Sequence, residues 1–330
     1  MVFKGKNGPL LIAEIGGNHE GNFDVAIKQT LLAIRSGCDV IKFQMYRGES
    51  LVNQKEDFQR YKHFQKFELQ KHQYIKLAEL CKKNDVIFNA SIWDTSMISW
   101  VDKYLKFYKI GSGDLTSFPI LESFCKRKKP IILSTGLSTL KEIKNTVKFL
   151  KQQNSFYKKK ENIVVMQCTS SYPTSNNDLN LNVIDTFKKN FNHIIGYSDH
   201  SIGNLALLTA YIKGAQVLEF HFTHDKNRKF RDHGLSLNMG DVKKLIKDIN
   251  SINGMLGSYE KKPTKKEISS GHIKSFRRAM YAKCSIKKGK KINKNQIICL
   301  RPENAISPIN YPKILKKLIA KKNYKKFDKI

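Results

Sequence analysis

The chain has 330 residues, 40% hydrophobic and 10% aromatic, enough apolar material for a packed core, which excludes disorder throughout. No stretch reads as a membrane span, and residues 1–17 hold only a short apolar run broken by Glu14, too short for a signal-peptide core. Lys and Arg outnumber Asp and Glu by 60 to 28, for a net charge of +32, which raises nucleic-acid binding as a reading. The excess is Lys in solvated runs such as 126–129, 158–160 and 316–322, Arg is scarce, and no helix-turn-helix, zinc-finger or RNP pattern occurs. A basic solvated surface is therefore favoured over dedicated nucleic-acid binding. The six cysteines stand singly, without CxxC pairs, which predicts reduced thiols in a cytoplasmic protein.

Apolar runs predict eight strands, each with polar residues at or just past its end. The first, 10–15, carries Glu14 and is followed by Asn18. A helix over 24–35 comes next, with Asn22 or Asp24 to cap it. The second strand, 39–44, contains Lys42 and Gln44, and a helix covers 71–83. The third, 86–90, runs into Ser91 and Asp94, and the fourth, 107–110, contains Lys109 and runs into Ser112 and Asp114. The fifth, 130–134, ends at Ser134 and Thr135, ahead of a helix over 140–152 capped by Ser138 or Thr139. The sixth, 162–168, contains Gln167 and leads into Thr169, Ser170 and Tyr172. The seventh, 193–197, leads into Ser198, Asp199 and His200 and then a helix over 203–213. The eighth, 216–222, contains Glu219 and His221.

Eight short strands alternating with helices predict an α/β fold closed as a (β/α)8 TIM barrel. A doubly wound sheet is disfavoured because no GxGxxG follows the first strand and no P-loop occurs. The texture changes near Gly257. The predicted organisation is a barrel over 1–258, a polar linker over 259–274 and a small domain over 275–330, with a turn at 287–290 and a strand at 297–300. A piece of about 55 residues is marginal as an independent fold, so docking on the barrel or a second subunit is expected.

In such a barrel all strand C-termini meet on one face, where the chemistry of these folds is done. Any one polar strand end has a bland explanation as a cap; eight in register point to a site. Lys42 and Lys109 lie inside strands, where a buried ammonium needs an anion. That anion is either an internal carboxylate such as Glu14 or Asp114, or a bound phosphate or carboxylate beside the small turns at Ser112–Gly113 and Ser134–Gly136. A Schiff-base lysine is the sharper alternative. His200 and His221 end adjacent strands and make a candidate divalent-metal pair, with Glu14 and Asp232 as further oxygen groups.

Ala13-Glu14-Ile15-Gly16-Gly17-Asn18-His19, Lys42-Phe43-Gln44, Lys109-Ile110-Gly111-Ser112-Gly113-Asp114 and Leu133-Ser134-Thr135-Gly136 resemble the N-acetylneuraminate (sialic acid) synthase family. So do Gln167-Cys168-Thr169, Tyr172-Pro173-Thr174, Gly196-Tyr197-Ser198-Asp199-His200-Ser201 and Glu219-Phe220-His221-Phe222-Thr223, in the family's order over almost the whole chain. Phe276-Arg277-Arg278 and Leu300-Arg301-Pro302 are similar to its C-terminal antifreeze-like (SAF) domain, which in that family crosses to the partner of a homodimer.

The resemblance implies a cytoplasmic, domain-swapped synthase that condenses phosphoenolpyruvate with an N-acylated amino sugar of the N-acetylmannosamine type. The product would be a nine-carbon nonulosonic acid, with phosphate released. It assigns the metal, manganese first with magnesium or cobalt as alternatives, to His200 and His221. Phosphoenolpyruvate falls to Lys42, Ser91, Lys109, Ser112, Ser134 and Ser198, and the sugar side to Glu14, Gln44, Asp114, Tyr172, Asp232, Phe276 and Arg301. Glu14 is the proton-transfer candidate, and the Schiff-base alternative falls. Several positions depart from the family pattern: Asp114 for Glu, Ser170 for Asn, Phe220 for Lys, Arg231 ahead of Asp232, and Ile92-Trp93 for Pro-Phe. They cluster on the sugar side and keep legionaminic or pseudaminic acid synthesis from a diacetamido sugar open. A nucleic-acid-binding protein with a non-catalytic barrel is the alternative from another class.

Overall fold

The computed structural model describes residues 3–330. Eight strands close into a parallel barrel: β1 (Leu10–Glu14), β2 (Val40–Met45), β3 (Ile87–Ile92), β4 (Tyr108–Ile110), β5 (Ile131–Ser134), β6 (Ile163–Cys168), β7 (Ile194–Asp199) and β8 (Val217–His221). Pairing of β1 with β8, Leu10 opposite Val217 through Glu14 opposite His221, completes the ring. Helices lie between the strands, so the predicted (β/α)8 barrel is the fold.

The predicted helices form over Phe23–Ser36, Lys71–Lys83, Leu140–Gln153 and Leu205–Ile212. Asn22 caps the first by accepting from the Val25 N–H, and Gly37, left-handed at φ 96°, ends it. Thr139 and Glu142 form a reciprocal capping box on the third. Three strands run further than the apolar runs suggest, β2 by the single residue Met45. β3 continues through Ser91 to Ile92, and β7 through Ser198 to Asp199. Polar residues ended the runs in sequence, but their backbones stay in the ladder, with Ser91 opposite Lys109 and Ser198 opposite Glu219.

Strand alternation sorts side chains into two populations. Leu11, Ala13, Ile41, Phe43, Tyr108, Ile131, Leu133, Leu218 and Phe220 face the helices in one large buried cluster. Leu10, Ile12, Val40, Phe107, Ile132, Val164, Met166, Ile194 and Val217 fill the lower bore as a second cluster, closed by Phe3 against Phe107 at a ring separation of 5.2 Å. No described helix is long and apolar enough to cross a membrane.

The chain divides into two compact units, one through Leu256 and one from Gly257 to Ile330. In the second, β9 (Ala279–Ala282) pairs antiparallel with β10 (Ile297–Leu300), and Ala282, Ile286, Ile292, Ala320, Tyr324 and Ile330 form its own buried core. The stretch read as linker holds two short helices, Lys265–Ser269 and His272–Phe276. The first is nucleated by a Thr264–Glu267 capping box that the charged texture of the segment concealed.

Candidate active site

Two residues above the apolar bore, the same inward-facing positions turn polar. Ile12 is followed by Glu14, Val40 by Lys42, Phe107 by Lys109, Ile132 by Ser134, Met166 by Cys168, and Val217 by Glu219 and His221. These residues floor a cavity of about 1140 Å³ at the strand C-termini. Glu14, Lys42, Gln44, Ser91, Lys109, Ser112, Asp114, Ser134, Tyr172, Ser198, His200, His221 and Asp232 all line it. Phe276 and Arg301 belong to the second unit, where the Arg301 guanidinium lies over the Phe276 ring at 5.5 Å.

The floor is a four-charge cluster. Lys42 pairs with Glu14, and Glu219 lies 3.7 Å from Lys42 and 3.2 Å from Lys109. Both lysines thus have internal carboxylates, and the partner of Lys109 is Glu219 rather than Asp114. Lys42 also donates to Ser91 Oγ at 3.3 Å and Lys109 to Ser134 Oγ at 2.7 Å. All four ions are buried, so no single one can be removed without leaving a charge uncompensated. Burial pushes the Glu14 carboxyl above its ordinary range, against the pull of Lys42. Burial acts on Glu219 too, but Lys109 and Lys42 together hold it below that range. Glu219 Oε2 and Glu14 Oε1 have no hydrogen-bond partner in the protein.

Beside this floor, the Ser112 hydroxyl accepts from the Gly136 N–H at 3.0 Å. A Cβ on Gly136 would sit 2.4 Å from Ser170 Oγ, 2.8 Å from Ser112 Oγ and 3.2 Å from the Ser170 backbone nitrogen, so a side chain there would displace both hydroxyls. Asp114 is pushed up to about 6, chiefly by burial, with Lys109 opposing.

The opposite wall carries the histidines. His200 and His221 have ring centroids 5.3 Å apart, and Tyr172 packs 4.1 Å from His200. The His200 Nδ1 lies 2.7 Å from the Thr169 carbonyl, which fixes a proton there and leaves Nε2 as a lone-pair donor. His221 Nδ1 is buried without a hydrogen-bond partner and lies 3.8 Å from an Asp232 carboxylate oxygen. Burial, then the charge of His200, holds His221 well below its usual range, so it stands as a neutral imidazole. Among the described residues no three His, Cys, Asp or Glu side chains are grouped closely enough to hold a metal ion as they stand. Two imidazoles, one with an orphaned buried nitrogen, beside a carboxylate nonetheless fit an open divalent site that water or substrate oxygens would complete, a bound cation displacing any proton from His200.

Three features escaped sequence reasoning. Glu219 reads as one more polar strand end, yet it is the carboxylate shared by both lysines. Cys168 lies in the cavity with its sulfur 3.9 Å from His200 Nδ1 and 3.7 Å from Ser112 Oγ. An aromatic rim also forms, in which Trp93 stacks on Tyr46 at 5.3 Å and meets Phe64 edge-on at 6.3 Å. Phe64 comes from the helix Phe58–Phe67, whose mainly polar and charged residues conceal its apolar positions.

Comparison with known proteins shows the family. The NeuB family profile matches residues 30–261. The chain is 35% identical to the N,N'-diacetyllegionaminic acid synthase of Campylobacter jejuni, covering 96% of this chain and 97% of that protein. It is 34% identical to the human N-acetylneuraminate-9-phosphate synthase over 79% of this chain and 74% of that one. The structure of an N-acetylneuraminic acid (sialic acid) synthetase from Leptospira borgpetersenii, in complex with citrate, superposes with a TM-score of 0.73 at 29% identity. It covers 81% of this chain and 91% of that one. The chain therefore belongs to the NeuB family of sialic acid synthases and is an enzyme of that class.

Proposed function

We propose that this enzyme condenses phosphoenolpyruvate with an N-acylated amino sugar to give a nonulosonic acid and phosphate. The observation that carries the reading is the pair of buried lysines, each bonded to a serine hydroxyl, at the floor of a cavity whose wall presents two imidazoles. Such a floor suits a small molecule with two anionic ends. Lys42 and Lys109, with the hydroxyls of Ser91, Ser112, Ser134 and Ser198, hold its phosphate and carboxylate. The acceptor sugar lies between them and the wall of Gln44, Tyr172 and Asp232. C3 of phosphoenolpyruvate bonds to the aldehyde carbon, water adds at C2, and the C2–O bond to phosphate breaks. The aldehyde oxygen gains a proton and water loses one; Glu14, protonated more readily than an ordinary carboxyl, carries that proton. His200, His221 and Asp232 would hold a divalent ion, manganese being the expected one. When bound it supplies Lewis acidity toward the acceptor's carbonyl oxygen. The 257–330 unit is read as the antifreeze-like domain of a swapped dimer, its Arg301 and Phe276 serving the acceptor side. The family resemblance of the sequence around both residues supports this.

The test is phosphate release from phosphoenolpyruvate with manganese and a panel of acylated amino sugars, wild type beside His200→Ala. Acceptor-dependent release, lost with a chelator and reduced about a hundredfold or more by the substitution, is expected. Release that ignores both acceptor and substitution would overturn the reading.

A further inference from the structure

After β8 the chain turns at Phe230 into the short helix Arg231–Leu235, which carries Asp232. Phe230 anchors that turn. Its ring lies 5.0 Å from that of Phe67 and stacks 6.0 Å from that of His63. A Cβ on Gly17 would come within 3.0 Å of the same ring, so the glycine leaves the space that Phe230 fills. Beside this anchor the Arg231 guanidinium lies over the Tyr172 ring at 4.9 Å, and its Nε donates to Asp232 Oδ1 at 3.1 Å. The other Asp232 oxygen is the one 3.8 Å from His221 Nδ1. The pair is unequally wet, with the Arg231 side chain 68% exposed and that of Asp232 8%. An ion pair with one end in water contributes little to folding, so stability gives no reason for the arginine. What it does change is the charge of the carboxylate beside the two imidazoles.

We infer that Arg231 is a positioning residue that acts through Asp232 to weaken the hold of the histidine wall on its divalent ion. The inference rests on the site reading above, in which His200, His221 and Asp232 hold that ion. Two imidazoles bring no negative charge, so Asp232 supplies the anionic part of the attraction. Arg231 opposes that attraction in two ways. Its hydrogen bond engages one of the two carboxylate oxygens, and its positive charge offsets the negative charge that a dication would feel. The stacking on Tyr172 and the Phe230 anchor keep the guanidinium in that place. The ion is therefore exchangeable, lost on gel filtration and restored when it is added back.

The test measures manganese binding to the full chain, stripped with a chelator and free of substrates, by calorimetry and by the paramagnetic resonance of the unbound ion. Arg231→Met keeps much of the side-chain length and removes the charge. It should bind manganese about tenfold more tightly than wild type at low salt. In about 0.5 M potassium chloride the gap should shrink to about threefold or less, because an exposed charge is screened. Arg231→Lys, which keeps the charge, should stay within about threefold of wild type. His200→Ala should bind about a hundredfold more weakly, which ties the measured ion to this wall. Equal or weaker binding by Arg231→Met, with His200→Ala impaired, would overturn the role of Arg231 and leave the metal reading of the site standing. Binding that ignores His200→Ala would overturn the metal reading and this inference with it.

Discussion

The lower and upper halves of the barrel bore are built from the same strands, two residues apart, and obey opposite rules. Below, Ile12, Val40, Phe107, Ile132 and Val217 are fully buried and make a dry plug sealed by Phe3. Above, Glu14, Lys42, Lys109, Ser134 and Glu219 are almost as buried but charged or polar. A buried apolar layer lowers the free energy of the fold through its contacts. A buried four-ion layer contributes little net stability, because desolvation offsets its attraction; under the proposed function its two lysines face an anionic ligand. One two-residue step thus separates what holds the barrel from what it does.

The largest expected effect breaks the upper layer. Lys109→Met should lower phosphate release by about a hundredfold to a thousandfold. It should also cost about 3 kcal/mol of stability by leaving the Glu219 carboxylate uncompensated. Lys109→Met with Glu219→Gln should recover most of that stability in urea unfolding but none of the activity. Recovery of both would mean that the cluster is structural only.

The lower layer should answer the other way. Phe3→Ala removes the ring packed on Phe107 and should cost about 3 kcal/mol. At a temperature where the protein stays folded, kcat and KM should be unchanged. A fall in kcat per folded molecule would show that the two layers are coupled.

The smallest effect lies at the rim. Asp114 has its carboxyl pushed up to about 6 by burial, against Lys109, so the folded state holds this proton more tightly than the unfolded chain does. Its contribution is fully present at low pH and is lost as pH rises from the ordinary aspartate value of about 4 through about 6. Asp114→Asn lacks that loss. Relative to wild type it should gain about 1–2 kcal/mol across this window and stay level above pH 7. A constant difference across the titration would contradict the assignment.

The division between layers also explains what the sequence made legible. Apolar runs of strand length alternating with capped helices led directly to the barrel. The polar residues ending each run led to one cavity, because parallel strands bring all their C-termini to one face. Glu219 was visible as a strand-end carboxylate, but its role depends on reaching across the bore to Lys42 and Lys109, which strand order alone does not convey. The ends of β3 and β7 were cut short because hydrophobicity falls at Ser91 and Ser198 while the ladder continues. The aromatic rim was hidden for another reason. Tyr46, Phe64 and Trp93 come from three separate segments and meet only once the barrel is closed.

Whether the barrel joins its two substrates is read most directly from the mass and stoichiometry of the product formed from phosphoenolpyruvate and an acylated amino sugar. One product carrying the carbons of both substrates, formed one-to-one with free phosphate, is expected. Phosphate released with pyruvate, and no joined product, would contradict it.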